Sequence, residues 1–497
     1  MPITYQVWID KNRNGIQTSG DVITNDIIDL TWRLGMAQPY DTMAPPGWAE
    51  IVLDARSGAY TGANAAALMG CCITILSDDG TTSRTHFVGF IDTITPAAGS
   101  YGPQTALLRA QTRDAALVHH TPAASLSALS EANALVRSAL VGSGMPYRVT
   151  VGYALLNDAS AVVGTAKLFD EVESYSGHNG LTSLAYGGVW NSSSTPNAQA
   201  YIGQVMAAER GRFYCGRDGT LTLLNRHDIL KTLTSQLTLA NDMTELVVSS
   251  GQDIVNDIEI PVLPRRLGSP NSLLWSLSAP LQLAPGQPRR LQITFRDDVT
   301  RLIGALIITS YTLSASQNGS DVTSFVSSWL SDITLNGAVL NITHPYNKTV
   351  SLAALNLYGT PLFCDLPQTS HLVDMTSVTA YGRHHRSLTL LALSTLEQAD
   401  DIALYEISHL KTPRVQALSV TLTTQSHPSH VLTRTLYERI TVSETQSLPV
   451  GDYLICAETH HVAWGLSHQV TWLLEPVDDA IFLCVGGLLD GVHVIAY

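Results

Sequence analysis

Charge is scarce in this chain. Only 14 % of its 497 residues are Asp, Glu, Lys or Arg, against about 25 % in an average globular domain. Its polar surface must come from Ser, Thr, Asn and Gln, which suits strands, turns and faces packed on other subunits. Basic charge is scarcer still, with 28 Lys and Arg against 42 Asp and Glu and a net charge of −14. Doublets such as Arg265-Arg266 and Arg289-Arg290 are isolated, so the basic stripe of a sequence-specific nucleic-acid reader is missing. An acidic wall is still compatible with a channel that passes DNA, because like charges do not stick. Six cysteines without C-x-x-C spacing do not make a disulfide scaffold. Buried free thiols, as in a reducing cytosol, are expected. The longest apolar run, Ala480 to Leu489, is about half of the roughly 20 residues a spanning helix needs. Met1 to Asp10 lacks the charged and apolar regions of a signal peptide.

Catalytic signatures are also missing. The sequence has no G-x-S-x-G elbow, no phosphate loop, no G-x-G-x-x-G and no H-E-x-x-H. Carboxylate doublets occur at Asp78-Asp79, Asp297-Asp298, Asp400-Asp401 and Asp478-Asp479, in settings where solvated turns are expected. Of the sixteen histidines, His119-His120, His384-His385 and His460-His461 are adjacent pairs. Neighbours on a strand point to opposite faces, so no such pair chelates one ion, and surface or interface histidines are expected.

What is present is strand patterning. At about 100–200 residues per domain the length predicts three to four domains. The first, 1–120, alternates: Ile51 and Leu53, Ile73 and Ile75, then Ala106, Leu108 and Ala110 each mark one face. Residues 121–265 read as α+β. One helix carries Leu126, Leu129, Val136 and Leu140, with Gly142 as its stop. A second runs from Pro196 to Arg210, with Thr195 as N-cap and Tyr201, Ile202, Val205 and Met206 on its apolar face. Between them, Gly187 to Thr195 reads as a surface loop. Asp218-Gly219 between alternating segments predicts a hairpin. Residues 266–365 read as an inserted β-sandwich, with Leu291, Ile293 and Phe295 on one face and a turn at Asn336-Gly337. Its aromatics, such as Trp275 and Tyr311, read as core fillers before sugar platforms. Residues 366–497 return to α+β. A capping box at Ser394 and Glu397 opens a helix burying Leu396, Ala399, Ala403, Ile407 and Leu410. Strands follow at Leu418/Val420/Leu422, Ile440/Val442, Tyr453/Ile455/Ala457 and Val470/Trp472/Leu474. The fold class is thus mainly β with α+β parts, in several domains.

One local motif points to a metal. Asp10, Asn12, Asn14, Gly15, Ile16 and Asp21 match the D-x-[DN]-x-[DN]-G calcium loop. Asp10, Asn12, Asn14 and the Ile16 carbonyl would supply four of the 6–8 oxygens Ca²⁺ takes, and Asp21 stands near the place of the closing Glu. The loop follows a strand instead of a helix, and Lys11 and Arg13 sit inside it, so any binding would be weak. The alternative is an Asx-rich turn without metal.

The order of segments resembles a family. DVITNDIIDLTWRLG (21–35) resembles the opening strand of tailed-phage minor tail proteins. PGWAEIVLDARSGAY (46–60) and FVGFID (87–92) are similar to their next strands, and ERGRFYCGRDGTL (209–221) to their hairpin. DIVNDI (253–258) resembles their return strand, and LNLYGTPL (355–362) the segment closing their inserted sandwich. YGRHH (381–385), a helix and PRV (413–415) resemble their final unit. The resemblance covers nearly the whole chain. It implies β-barrel hub domains carrying the sandwich, and a structural virion protein, not an enzyme, at the tail tip or baseplate hub. Copies would form a homotrimeric ring continuing the tail tube, synthesised in the host cytoplasm. Its partners would be tail-tube or distal-tail protein, tape measure, tip fibres and the host surface. Two further readings stay open: a receptor-binding protein using the sandwich, and a tail-associated cell-wall or polysaccharide hydrolase.

Overall fold

The structure is a computed structural model. It describes residues 3–97, 104–120, 197–225, 234–250, 254–297, 299–334, 337–390, 395–413, 415–446, 450–463 and 467–477, with residues 229, 392 and 393 and short stretches between 130 and 184. The chain opens with strands β1 (Thr4–Ile9), β2 (Ile27–Gly35), β3 (Trp48–Asp54), β4 (Cys72–Asp78), β5 (Ser83–Pro96) and β6 (Thr105–Gln111). The expected alternation holds on β3 and β6, where Ile51, Leu53, Ala106, Leu108 and Ala110 are fully buried while Arg109 is exposed. On β4, Thr74 is buried along with Ile73 and Ile75, so that strand is covered on both faces.

Helix α1 (Ala198–Glu209) starts two residues later than the sequence suggests. Its N-cap is Asn197, whose side chain accepts the Ala200 N–H at 2.8 Å, and Thr195 and Pro196 lie outside the described residues. Tyr201, Ile202, Val205 and Met206 are buried as read. The hairpin of β7 (Arg212–Cys215) and β8 (Leu221–Leu224) turns at Asp218-Gly219, with Gly219 at φ +82°. In the earlier helix, Val136 and Leu140 are helical and buried. Leu126, Leu129, Gly142 and the 187–195 loop lie outside the described residues.

After β9 (Glu245–Ser250) and β10 (Asp257–Val262), the inserted region contributes β11 (Arg289–Thr294), β12 (Leu302–Gln317), β13 (Ser327–Thr334), β14 (Gly337–Thr343) and β15 (Val350–Cys364). Strands β11, β14 and β13 form one sheet, and β12 and β15 the centre of another. Between them lies a core of Ile293, Phe295, Leu340, Leu352, Leu355 and Leu357. Two sheets over one apolar core make a sandwich. Trp275 and Tyr311 pack against this core, as core fillers should.

The last part holds β16 (Gln368–Val373), β17 (His385–Ser387), α2 (Leu396–Leu410), β18 (Val415–Thr423), β19 (Arg439–Ser443), β20 (Val450–Ala463) and β21 (Ser467–Pro476). The capping box exists one residue further on than expected. Thr395 caps the Gln398 N–H, and the Gln398 side chain returns to the Thr395 N–H. Thr395 is the last residue in extended geometry, so it takes the role assigned to Ser394, which lies outside the described residues. Ala399, Ala403, Ile407 and Leu410 are buried, while Leu396 is half-buried. On β18 a bulge skips Leu418. It leaves Leu418 half-buried and gives the core face to Ala417, Val420 and Leu422.

One twelve-stranded sheet unites the two ends of the chain, in the order β1-β4-β5-β6-β3-β2-β20-β21-β18-β9 with β19 and a short partner off this path. The joint is an antiparallel pairing of β2 with β20, from Asp29↔Ala463 to Gly35↔Ala457. Gly35 sits at its tightest point. It has φ +94°, and a Cβ there would lie 2.4 Å from the Cys456 carbonyl oxygen. Leu30, Trp32, Ile51 and Phe87 share one core with Val420, Ile440, Ile455 and Trp472. A second core lies under α1, α2, the β7–β8 hairpin and β10. Each large apolar side chain so buried contributes about 1.5–3 kcal/mol. The five described cysteines are free, four of them buried. Among the described residues no helix is long and apolar enough to cross a membrane.

Candidate functional site

The calcium-like loop is built around its two carboxylates. Asp10 is buried; its Oδ1 accepts the Asn14 N–H at 3.1 Å and its Oδ2 the Gly15 N–H at 2.5 Å. Asp21 is buried too, and its Oδ2 accepts both the Thr18 N–H at 2.9 Å and the Thr18 hydroxyl at 2.6 Å. The Asn14 side-chain oxygen accepts from Ile16 N–H at 2.9 Å, Lys11 donates to the Gly20 carbonyl, and the exposed Asn12 and Ile16 reach solvent. Gly15 supplies the turn at φ +70°. The loop is thus closed by hydrogen bonds from amides and a hydroxyl to its acids. Among the described residues no group of three or more His, Cys, Asp or Glu gathers as a metal site.

The polar centre of the molecule lies at the β2–β20 joint, and the sequence reading missed it. Arg217, from the β7–β8 turn, donates Nε and Nη2 to the two oxygens of Glu458 at 2.7 and 2.6 Å, and Nη1 to the Leu432 carbonyl at 2.9 Å. Glu458 and His460 stand two apart on β20 and so share a face. The His460 ring stacks on Trp32 of β2, with centroids 4.7 Å apart and planes within 6°. His460 Nδ1 lies 2.7 Å from His468 Nε2, and His468 Nδ1 lies 2.6 Å from the Tyr5 hydroxyl. His86 sits beside both rings, at 5.8 and 6.0 Å between centroids, and bonds Ser77 at 2.7 Å. Glu458, His460, His86 and His468 are 0–1 % exposed.

This burial sets the protonation states. Desolvation, aided by the Arg217 charge, drives His86 and His468 well below the ordinary imidazole range. Desolvation also lowers His460, against the pull of Glu458. Burial opposes the charge of Glu458, but Arg217 and His460 outweigh it and hold the carboxyl far below its usual range. Burial keeps the Tyr5 phenol protonated. His460 Nε2 lies 3.4 Å from both Arg217 Nη2 and Glu458 Oε2. Clefts flank the chain of bonds. One of about 440 Å³ is lined by Arg217, Arg84 and Tyr214, and one of about 350 Å³ by Tyr5 and Ser77. The arrangement ties the start, middle and end of the chain together through a fixed ion pair and three neutral imidazoles.

The pair His460-His461 separates as strand geometry requires. His461 is exposed and bonds Asp29 at 2.8 Å, but His460 is fully buried, which corrects the expectation of a surface residue. The preceding Glu458, two residues away and so on the same face of β20, was the available signal. His384 and His385 are exposed. With His371 and Arg383, His385 surrounds the buried Asp257 at 2.8–3.1 Å. Burial opposes the Asp257 charge, yet the hydrogen bonds from His385 and His371 hold it below the usual carboxylate range.

No protein-family model and no curated protein matches the sequence. In fold, the chain is similar to the tail protein from Neisseria meningitidis MC58, at 8 % identity and a TM-score of 0.50, covering 96 % of this chain and 97 % of that one. Weaker likenesses are the prophage MuSo2 43 kDa tail protein from Shewanella oneidensis (8 % identity, TM-score 0.47, 95 % and 99 % covered) and the prophage tail protein gp18 from Listeria monocytogenes EGD-e (6 %, 0.42, 95 % and 94 %). The chain has the fold of a tail protein.

Proposed function

We propose that this chain is a structural protein of a phage tail, placed at the tail tip as a baseplate hub. Copies form a homotrimeric ring that continues the tail tube and carries the neighbouring tip proteins, with no chemical step. The observation that carries this reading is the single sheet made from both ends of the chain, in a fold shared end to end with a tail protein. A rigid sheet with a sequence-local insert suits a ring that holds an appendage outward. Its low charge suits faces that other subunits cover. Electron microscopy of the purified protein tests the proposal. Rings with an opening wide enough for duplex DNA are expected, and stable monomers at all concentrations would sink it.

A second reading concerns the insert alone. Phe325 and Trp329 are 56 % and 51 % exposed on the sandwich, aromatic surface open to a partner. We infer that the sandwich contacts the host surface.

A further inference from the structure

We propose that the buried imidazole chain at the β2–β20 joint is an acid-operated latch: it accepts one proton with its bonds intact and opens the joint on accepting a second. The bonds themselves set this limit. Tyr5 Oη lies 2.6 Å from His468 Nδ1, and His468 Nε2 lies 2.7 Å from His460 Nδ1. His460 Nε2 lies 3.4 Å from a donor, Arg217 Nη2, and from an acceptor, Glu458 Oε2. A neutral imidazole carries one N–H, so the neutral chain runs in either direction, from Tyr5 to Glu458 or from Arg217 to Tyr5. One added proton fits. His460 then donates from Nε2 to Glu458 and from Nδ1 to His468 Nε2, and His468 donates from Nδ1 to the Tyr5 oxygen. The Tyr5 hydroxyl proton turns into the cleft that Tyr5 lines.

Position gives that proton to His460. Its ring lies flat on the Trp32 indole, 4.7 Å between centroids, where a cation gains from the π face. Glu458 pulls its proton affinity upward. A second proton has no such place. On His468 it would set an Nε2–H against the His460 Nδ1–H across 2.7 Å, with no acceptor between them. On His86 it would leave a charged ring 5.8 Å from His460, whose Nδ1–H has no partner among the described residues. The other groups facing the cluster do not relieve it. Arg217 is itself a cation and holds both oxygens of Glu458, and the exposed His461 is bonded to Asp29. A buried charge without a partner is relieved by reaching water. His86 stands on β5, in the first half of the sheet, whereas His460 and His468 stand on β20 and β21, in the second. Repulsion therefore acts across the β2–β20 seam, and water reaches the rings when that seam parts.

Two measurements on the full chain test this. Imidazole nitrogen NMR of histidine-labelled protein, titrated downward from neutral pH, should show one buried ring charging first, with amide exchange on β2 and β20 unchanged. That signal should be missing in His460→Gln. Further acid should then speed exchange in Ile27–Gly35 and Val450–Ala463, corrected for the intrinsic rate, while Val350–Cys364 of the sandwich stays within about twofold. Each extra proton bound on opening raises the opening constant about tenfold per pH unit. The open joint binds three protons and the latched joint one, so the parent should gain about a hundredfold per unit. His86→Gln leaves two against one and should gain about tenfold, and His468→Gln, which removes a different ring, should match it. Exchange should return to its starting rate at neutral pH. Two buried rings charging together before exchange changes, equal acceleration in the sandwich, or parent and single variants with equal slopes would each overturn the proposal. Ring assembly enters neither measurement, so the hub reading stands or falls separately.

Discussion

The sheet that joins the two chain ends keeps Arg217, Glu458, His86, His460 and His468 inside. The inserted sandwich keeps Leu340, Leu352, Leu355 and Leu357 inside and turns Arg290, Gln292 and Trp329 outward. The first region is assembled from residues more than 400 positions apart; the second is local. Buried ion pairs add little net stability but penalise wrong arrangements, because a lone charge left inside is expensive. We read the joint as a device that makes distant segments meet in one register. The sandwich has a short chain path and needs only apolar packing.

The comparison predicts two unfolding transitions, and variants can separate them. The largest effect belongs to Arg217→Met, which leaves Glu458 buried without its bidentate partner. The joined sheet should lose about 3–5 kcal/mol in chemical denaturation, with the sandwich unaffected. A variant as stable as the parent would break the comparison. Leu357→Ala, in the sandwich core, should remove about 2–5 kcal/mol from the other transition alone. A shared shift of both would mean the regions are not independent. Gly35→Ala should cost the joined sheet roughly 1–3 kcal/mol through backbone strain, together with the clash at Cys456, again read by denaturation.

Acidification sharpens the same contrast. The buried histidines have folded-state values below the 6.5 of an unfolded imidazole. Between those values the unfolded chain binds more protons, so stability is full above about pH 6.5 and falls as pH drops below it. Calorimetry from pH 7.5 to 5.5 should show the joined sheet's midpoint falling more than the sandwich's, and a His460→Gln, His468→Gln variant should show a shallower slope. Equal slopes in parent and variant would remove the network from the explanation. The smallest effect is expected from Trp329→Ala, under about 0.5 kcal/mol because the side chain is half in solvent.

Much of the fold was legible because it is written locally. Period-two runs gave β3, β6 and β20; Asp218-Gly219 gave a hairpin; helical spacing gave the buried faces of α1 and α2. Cap positions slipped by one or two residues, since Asn197 and Thr395 compete with equally suitable neighbours and only backbone geometry decides between them. The polar joint was not legible. Arg217 lies 241 residues from Glu458, and nothing in either segment announces the other. His460 looked like half of a surface pair because strand geometry says that neighbours diverge, not which one turns inward. The acids at Asp10 and Asp21 fit both a cation loop and an Asx turn, because both need inward oxygens around a tight bend.

The pairing of β2 with β20 has a consequence for synthesis. Gly35 leaves the ribosome 422 residues before its partner Ala457, a wait of roughly 20–80 s at about 5–20 residues per second. During that interval the nascent chain carries an unprotected strand edge in a crowded cell, where neighbouring polysomes make the same product. Chaperone engagement early in translation, and insoluble product from messages cut short before the final strands, are the outcomes this topology favours.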